Sequence, residues 1–208
     1  MRQIIEFSQI DFFKKNRYLE LDGLFKSTDF ETITMALHAL NPPKSSASAD
    51  LHNCYLNIPL LKRWLIAQPI AQILYDLSGL QQFRLLFDQV IEYPLYPKSP
   101  SSLVLDQLSF QGVVMGLLIN INGFPVDGNP LFPSLKSHVT FFDPTLMIDL
   151  QPFKTPTGSK FLCVGFGTLQ TRYRFEPTDP HTHDLKKLGY VFGDVLDNRF
   201  HPVFFKKT

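Results

Sequence analysis

Cysteines are few and the net charge is close to zero in this chain of 208 residues, and each of these features disfavours a class of protein. Cys54 and Cys163 are the only cysteines, too few for a disulfide-stapled secreted domain or a cysteine-rich zinc module. Lys and Arg total 20 against 19 Asp and Glu, a net charge of +1. Nucleic-acid-binding domains normally carry a marked basic excess, so this balance disfavours a nucleic-acid partner.

Long apolar runs are also missing. The longest, over residues 113–119, falls far short of the roughly 20 residues that cross a bilayer. The N-terminus lacks an apolar run followed by a small-residue cleavage site. We therefore expect a soluble cytoplasmic protein with reduced cysteines and no membrane partner. Hydrophobic residues reach 44%, which excludes intrinsic disorder and supplies a sizeable core.

The pattern of apolar residues changes near Gly79. Residues 1–80 carry helical spacing with capping signals, apart from a short strand predicted over 17–21. Residues 81–208 predict short strands instead, at 83–91, 102–110, 113–121, 139–142, 161–166 and 169–175. This order predicts a single α+β domain with a mainly β core, a β-sandwich or open barrel that carries helices on one outer face.

One dense group of metal-ligand residues is present. His181, His183 and Asp184 lie in the motif DPHTHD, and on an extended segment two histidines two apart point the same way. Imidazole with carboxylate suits zinc, iron or nickel, although the same residues are typical of a solvated turn. His52 with Cys54 is a weaker candidate. Motifs for a serine nucleophile, a P-loop or a dinucleotide site are absent from the sequence.

Three segments resemble phytanoyl-CoA dioxygenase-like proteins over roughly residues 10–125. They are FFKKNRYLELDGLF (12–25), IAQPIAQILYDLSG (66–79) and FRLLFDQVIEYPLYPKSPSSLVLDQLSFQ (83–111). The chain also resembles a group of chlamydial proteins of uncertain function. The resemblance implies a double-stranded β-helix, or jelly-roll, with helices packed on one sheet.

The same resemblance implies that the family's iron site is replaced. Active members hold Fe(II) with a His-x-Asp pair on one strand and a distal histidine, leaving positions open for 2-oxoglutarate and oxygen. Leu105 occupies the first position and Gln107 the carboxylate position. Asp106 is turned to the other face of the predicted strand. The distal position matches Arg174 or Phe175. We therefore expect no cofactor, neither Fe(II) nor 2-oxoglutarate, bound in the usual way.

A non-catalytic relative that binds a small molecule or a protein partner is the function these features favour. The family pairs a late basic residue with the 2-oxoglutarate carboxylate, and the matching positions are Lys186 and Lys187. Arg174 would add a second positive charge. Together these residues predict a site for a small organic anion, because buried cations need a partner.

Two alternative functions stay open at this point. A metal-dependent enzyme with a relocated site would use His181 and His183, with Asp194 or His201 as a further ligand. A metal-responsive transcription regulator would need a recognition helix and a basic face, whereas the predicted helices are short and neutral.

Overall fold

A computed structural model of the protein describes residues 5–40, 51–93, 101–122, 129–150 and 158–206. The helices are α1 (Phe7–Asn16), α2 (Ser27–Ala39), α3 (Pro59–Leu65), α4 (Gln68–Ser78) and α5 (Pro180–Lys187). The strands are β1 (Tyr18–Leu21), β2 (Gln82–Glu92), β3 (Ser102–Leu103), β4 (Phe110–Asn120), β5 (Val139–Phe142), β6 (Ile148–Asp149), β7 (Lys160–Tyr173) and β8 (Val203–Phe205). Two 3₁₀ turns cover Cys54–Leu56 and Leu105–Gln107.

Two antiparallel sheets form the β core. The larger has the strand order β1-β5-β4-β7-β2-β8, and the smaller pairs β3 with β6. The long strands β4, β7 and β2 are adjacent, so the centre of the large sheet is built from 11- to 14-residue strands. This curled sheet confirms the predicted α+β class with a mainly β core.

The large sheet is buried on both faces. Leu85, Leu117 and Ile119 pack in one core with the apolar faces of α2, α3 and α4. Leu86 and Leu118 belong to a second core on the opposite side, which also contains residues of β3 and β6. Because both faces are covered, the central strands are almost continuously apolar rather than alternating. The predicted packing of helices on one sheet is therefore confirmed.

Two glycines make room for phenylalanine rings in the second core. A Cβ at Gly165 would collide with the Phe87 ring, and one at Gly116 would collide with the Phe142 ring. Glycine at these positions lets each ring lie directly on the backbone of the neighbouring strand. The ring of Phe87 is thereby fixed beneath the site described below.

The structure corrects the sequence-based prediction in three places. The predicted strand over 102–110 is instead the two-residue strand β3, a 3₁₀ turn over Leu105–Gln107 and, at Phe110, the first residue of β4. The motif DPHTHD is not extended but forms helix α5, because Asp179 caps its first turn and Pro180 occupies the first helical position. The predicted runs at 161–166 and 169–175 are one strand, β7.

Other local features agree with the sequence. Strand β1 lies within the predicted segment 17–21, and α4 ends at Gly79, which has φ of 74°. Cys54 and Cys163 are buried free thiols. Within the described ranges, no helix is long and apolar enough to span a membrane.

Candidate metal centre

Helix α5 and the segment before β2 bring two histidines and an aspartate together. His181 and Asp184 are three residues apart on α5 and so share a helical face. His52 approaches from the other side, and ligand atoms of all three residues lie within 4.8 Å of one another. The distance from His52 Nδ1 to Asp184 Oδ2 is 3.7 Å. We call His52, His181 and Asp184 the histidine–aspartate cluster.

Three of the four imidazole nitrogens in this cluster are buried and have no hydrogen-bond partner among the described residues. They are both ring nitrogens of His181, which is 1% exposed, and Nε2 of His52. Leaving a buried polar group unpaired costs about 1–3 kcal/mol. Burial, and then the proximity of His52 and His201, hold the pKa of His181 well below its usual value. His181 is therefore neutral, which is the state in which imidazole binds a metal.

A buried carboxylate positions His52. Asp88 on β2 is completely buried, and its two oxygens accept hydrogen bonds from the backbone N–H groups of Cys54 and Tyr55, at 2.9 and 2.8 Å. The Asn53 N–H donates to the backbone carbonyl of Asp88 at 2.8 Å. The backbones of His52 and Gln89 form an antiparallel β-bridge. Burial raises the pKa of Asp88 to about 6 despite these hydrogen bonds.

A second buried carboxylate positions α5. Asp179 is 5% exposed and accepts hydrogen bonds from the backbone N–H groups of His181 and Ser109, at 3.0 and 2.6 Å. Burial raises its pKa. Asn53 connects the segment that carries His52 to helix α5, because its Nδ2 donates to Asp184 Oδ2 at 3.4 Å.

The cluster fits a divalent transition metal. Ligand atoms around one metal, at about 2.1 Å each, lie roughly 3 Å apart, so small side-chain rotations would close the observed separations. Two imidazoles and one carboxylate form the ligand set of non-haem Fe(II) sites and also suit zinc and nickel. The His181 ring is enclosed by Phe87 and Phe110, at 4.5 and 5.6 Å between ring centroids.

Several predicted ligands do not join the cluster. His183 is exposed, because residues two apart on a helix point in different directions. His201 is buried, and its Nδ1 donates to the Leu86 carbonyl at 2.8 Å. Asp194 accepts a hydrogen bond from the Val191 backbone at 2.7 Å. Of the predicted set, only His181 and Asp184 join the cluster, and His52 joins without Cys54.

The positions that match the family's iron ligands are differently placed. Leu105 is completely buried in the second core, whereas Gln107 is exposed. The Arg174 guanidinium donates to the backbone carbonyls of Asp106 and Leu108, at 2.6 Å each.

The two lysines of the predicted anion site lie on α5. Lys186 places its Nζ 4.6 Å from the centroid of the Phe175 ring, and Lys187 is exposed. An anion site formed by Arg174, Lys186 and Lys187 stays a prediction.

A cavity of about 260 Å³ is lined by neighbours of the cluster residues and by none of the three cluster residues themselves. Its wall combines amide, hydroxyl, carboxylate and apolar side chains, from Gln89, Ser102, Leu103, Val104, Gln107, Leu108, Glu176, Thr178, Asp179 and Pro180. We call it the Gln107 cavity. Gln89 pairs with His52, and Pro180 directly precedes His181.

No protein-family model matches the chain, and no curated protein matches it. Several solved structures match the chain over most of its length. SnoK, a non-haem α-ketoglutarate-dependent carbocyclase from nogalamycin biosynthesis, superimposes with a TM-score of 0.75 at 11% identity, over 96% of each chain. The chain has the double-stranded β-helix fold of the iron- and 2-oxoglutarate-dependent oxygenases.

Two further structures support this fold. HygX from Streptomyces hygroscopicus, solved with nickel and 2-oxoglutarate bound, matches with a TM-score of 0.56 at 16% identity over 92% of this chain and 98% of HygX. CT296 from Chlamydia trachomatis matches with a TM-score of 0.54 at 12% identity, over 80% of this chain and 97% of CT296. The predicted jelly-roll and both predicted resemblances are confirmed at the level of fold.

The expectation that no cofactor binds is wrong. It considered only the positions of Leu105, Gln107 and Arg174, whereas the fold assembles a metal-ligand set elsewhere, from the histidine–aspartate cluster. HygX, which has this fold, was solved with nickel and 2-oxoglutarate bound. The sequence offered His52 only together with Cys54, as a weaker candidate. It could not reveal that His52 meets His181, because 129 residues separate them and only tertiary packing joins them.

Proposed function

We propose that this protein is a metal-dependent enzyme of the non-haem iron type, whose metal is held by His52, His181 and Asp184. The observation that carries the proposal is the pair of unpartnered ring nitrogens on His181, buried beside a second histidine and an aspartate. A bound divalent cation would satisfy one of these nitrogens and so offset part of the cost of burying them.

The choice of metal follows from the ligands and the fold. Three protein ligands leave open coordination positions, as in catalytic rather than structural sites. Fe(II) is the metal we favour, because SnoK is described as a non-haem α-ketoglutarate-dependent enzyme. Bound Fe(II) would supply Lewis acidity and one-electron chemistry at those open positions.

The residues around the cluster have separate roles in this proposal. The rings of Phe87 and Phe110 lie against the His181 ring and exclude water from that side of the cluster. Asp88 and Asp179 hold the backbones of the two arms, which keeps the ligands in place before metal binds. The Gln107 cavity offers space for a substrate beside the cluster.

A non-catalytic, small-molecule-binding protein is the second candidate. It is favoured by Leu105, which fills the family's histidine position with a fully buried apolar side chain. A transcription regulator gains no support from the described residues, whose longest helix has 13 residues and packs three of them in the core.

Metal titration tests the proposal. Anaerobic titration with Fe(II), and with Co(II) as a spectroscopic substitute, should show one tightly bound ion per chain. His181→Ala should weaken binding by at least about 100-fold, since even residues that only support a ligand cost 10- to 100-fold. His183→Ala is the matched control, because it removes an exposed histidine from the same helix.

Asp184→Asn provides a second variant with little risk of misfolding, since the Asp184 side chain is 30% exposed. It should also weaken metal binding while the melting temperature of the metal-free protein stays nearly constant. If His181→Ala and Asp184→Asn both bind Co(II) as tightly as the unaltered protein, the proposal is wrong and the non-catalytic function is favoured. Oxygen consumption by the iron-loaded protein, with and without 2-oxoglutarate, then tests for turnover.

A further inference from the structure

Asn53 carries a side-chain oxygen, Oδ1, that is buried without a hydrogen-bond partner among the described residues. The residue follows His52 directly in the chain. The nitrogen of the same amide group donates to Oδ2 of Asp184 at 3.4 Å, so the unpartnered oxygen lies next to the histidine–aspartate cluster. A buried acceptor left unpaired is unfavourable. We therefore look for the missing partner of Oδ1 at the cluster itself.

The backbone of Asn53 holds this side chain against the cluster. Its φ of 53° and ψ of 37° lie in the left-handed region, which asparagine and aspartate tolerate better than most residues with a side chain. The Asn53 N–H donates to the Asp88 carbonyl at 2.8 Å, and the Asn53 carbonyl accepts from the Leu56 N–H at 3.0 Å. Because both sides of the backbone are fixed, only rotation within the side chain changes which amide atom faces Asp184.

Two nitrogen atoms converge on one oxygen of Asp184. Asn53 Nδ2 lies 3.4 Å from Oδ2, and His52 Nδ1 lies 3.7 Å from the same atom. Both distances exceed the roughly 3 Å of a well-formed N–H···O hydrogen bond. An ion bound between these groups would draw their ligand atoms to roughly 3 Å from one another. The long contacts therefore suit a shared cation better than direct hydrogen bonds.

We propose that Asn53 is a further ligand of the metal, which it binds through Oδ1, and that this amide oxygen sets the metal preference of the site. A half-turn of the amide exchanges Nδ2 and Oδ1 and brings the oxygen to the side of Asp184. Without metal, Nδ2 faces the carboxylate as a donor; with metal, Oδ1 faces the cation that the carboxylate binds. The inference rests on the proposed function, because it adds a ligand to the metal held by His52, His181 and Asp184.

An amide oxygen changes which metals the site favours. Carbonyl and carboxylate oxygens suit Mn(II), whereas imidazole nitrogens suit Zn(II) and Ni(II). With Asn53 the ligand set contains two nitrogens and two oxygens, which shifts its preference from Zn(II) towards Mn(II) and Fe(II). Fe(II), the metal favoured above, adjoins Mn(II) in the order of metal affinities. Four protein ligands also leave two positions of an octahedral ion open for chemistry.

Separate titrations with Mn(II) and Zn(II) test this role. Asn53→Gly removes the amide but keeps the left-handed backbone, which glycine adopts readily. It should weaken Mn(II) binding by about 10- to 100-fold and Zn(II) binding several times less, as measured by calorimetry on the full-length chain. A residue with a merely structural role would weaken both metals alike, so the ratio of the two affinities identifies a ligand.

Two further variants and a structure complete the experiment. Asn53→Asp keeps an oxygen ligand and tolerates the backbone conformation, so it should retain the Mn(II) preference that Asn53→Gly loses. Asn57 is exposed in the same segment, and Asn57→Ala should leave both affinities unchanged. Melting temperatures of the metal-free variants show that each is folded. A crystal structure of the Mn(II)-loaded protein should show Asn53 Oδ1 bonded directly to the ion.

The outcomes separate this inference from the proposed function. If His181→Ala abolishes Mn(II) binding but Asn53→Gly leaves the ratio of affinities unchanged, the metal site stands and the role of Asn53 is overturned. An Oδ1 bonded to water instead of Mn(II) overturns it as well. If His181→Ala and Asp184→Asn bind both metals as tightly as the unaltered protein, the proposed function fails. A ratio that Asn53→Gly still changes would then support Asn53 as a ligand of an ion held by other residues.

Discussion

The rings of His52 and His181 lie with their centroids 4.8 Å apart, tilted by 40°, although 129 residues separate them along the chain. Asp184 completes the group from the next turn of α5. Burial and then the proximity of His52 lower the pKa of His181, which leaves its ring nitrogens available to bind a metal cation.

Asp88→Asn should weaken metal binding by roughly 10- to 100-fold, the range found for residues that support metal ligands. The amide nitrogen of asparagine would face one of the two N–H donors of Cys54 and Tyr55, so the segment that carries His52 would shift. Co(II) titration measures the affinity. The control is Glu20→Gln, which alters a carboxylate bound to the Ser134 N–H away from the cluster; equal losses in both variants would contradict a positioning role for Asp88.

Asp179→Asn should loosen the start of α5. The single amide oxygen of asparagine can accept from the backbone N–H of His181 or of Ser109 but not from both. Either the cap or the link from α5 to Ser109 is therefore lost, and a buried N–H left unpaired costs about 1–3 kcal/mol. Hydrogen exchange of the α5 amides should accelerate, while exchange in β4 and β7 changes little. Unchanged protection throughout α5 would count against Asp179 as the anchor of the metal-binding helix.

Acidification should destabilise the metal-free protein through His201. Burial lowers the pKa of His201 from 6.5 to about 4. Between pH 6.5 and pH 4, His201 is therefore protonated in the unfolded chain but neutral in the native state. The stability is present above pH 6.5 and is lost as pH falls towards 4, by about 3 kcal/mol in all. Urea unfolding in the presence of a chelator, at a series of pH values, measures the loss.

His201→Phe provides the comparison for this pH dependence. Asp88 has its pKa raised to about 6 and therefore acts in the opposite direction, favouring the native state as pH falls from 6 towards 4. Both proteins contain Asp88, so the difference between their profiles isolates His201. The variant loses the hydrogen bond to the Leu86 carbonyl at every pH, which shifts its profile without changing the slope. Parallel profiles would refute the assignment.

Gly165→Ala and Gly116→Ala should both destabilise the fold, by about 1–3 kcal/mol each, because a methyl group collides with a packed ring. Only Gly165→Ala should also weaken metal binding. Its partner Phe87 contacts the His181 ring, whereas the partner of Gly116 is Phe142. Unfolding curves and Co(II) titrations on the two variants distinguish the effects, and a metal affinity equally reduced in both would argue against coupling through Phe87.

Local sequence signals determined the order of the elements. The helical spacing before Gly79 and the short apolar runs after it predict helices followed by a β core, and α4 ends at Gly79 as expected. These features depend on neighbours within a few residues, so the sequence alone carries them. The resemblance of three segments to an oxygenase family extended this prediction to the jelly-roll, which the SnoK match confirms.

The grouping of His52, His181 and Asp184 was decided by tertiary structure. His181 and Asp184 are recognisable as ligand types in DPHTHD, but their common face exists only because Asp179 and Pro180 start a helix there. His52 becomes a partner only when Asp88 ties its segment to β2 and when β2 and α5 enclose the same apolar space. A chain determines locally which residues can bind a metal; which of them meet depends on long-range packing, and no short-range pattern encodes that.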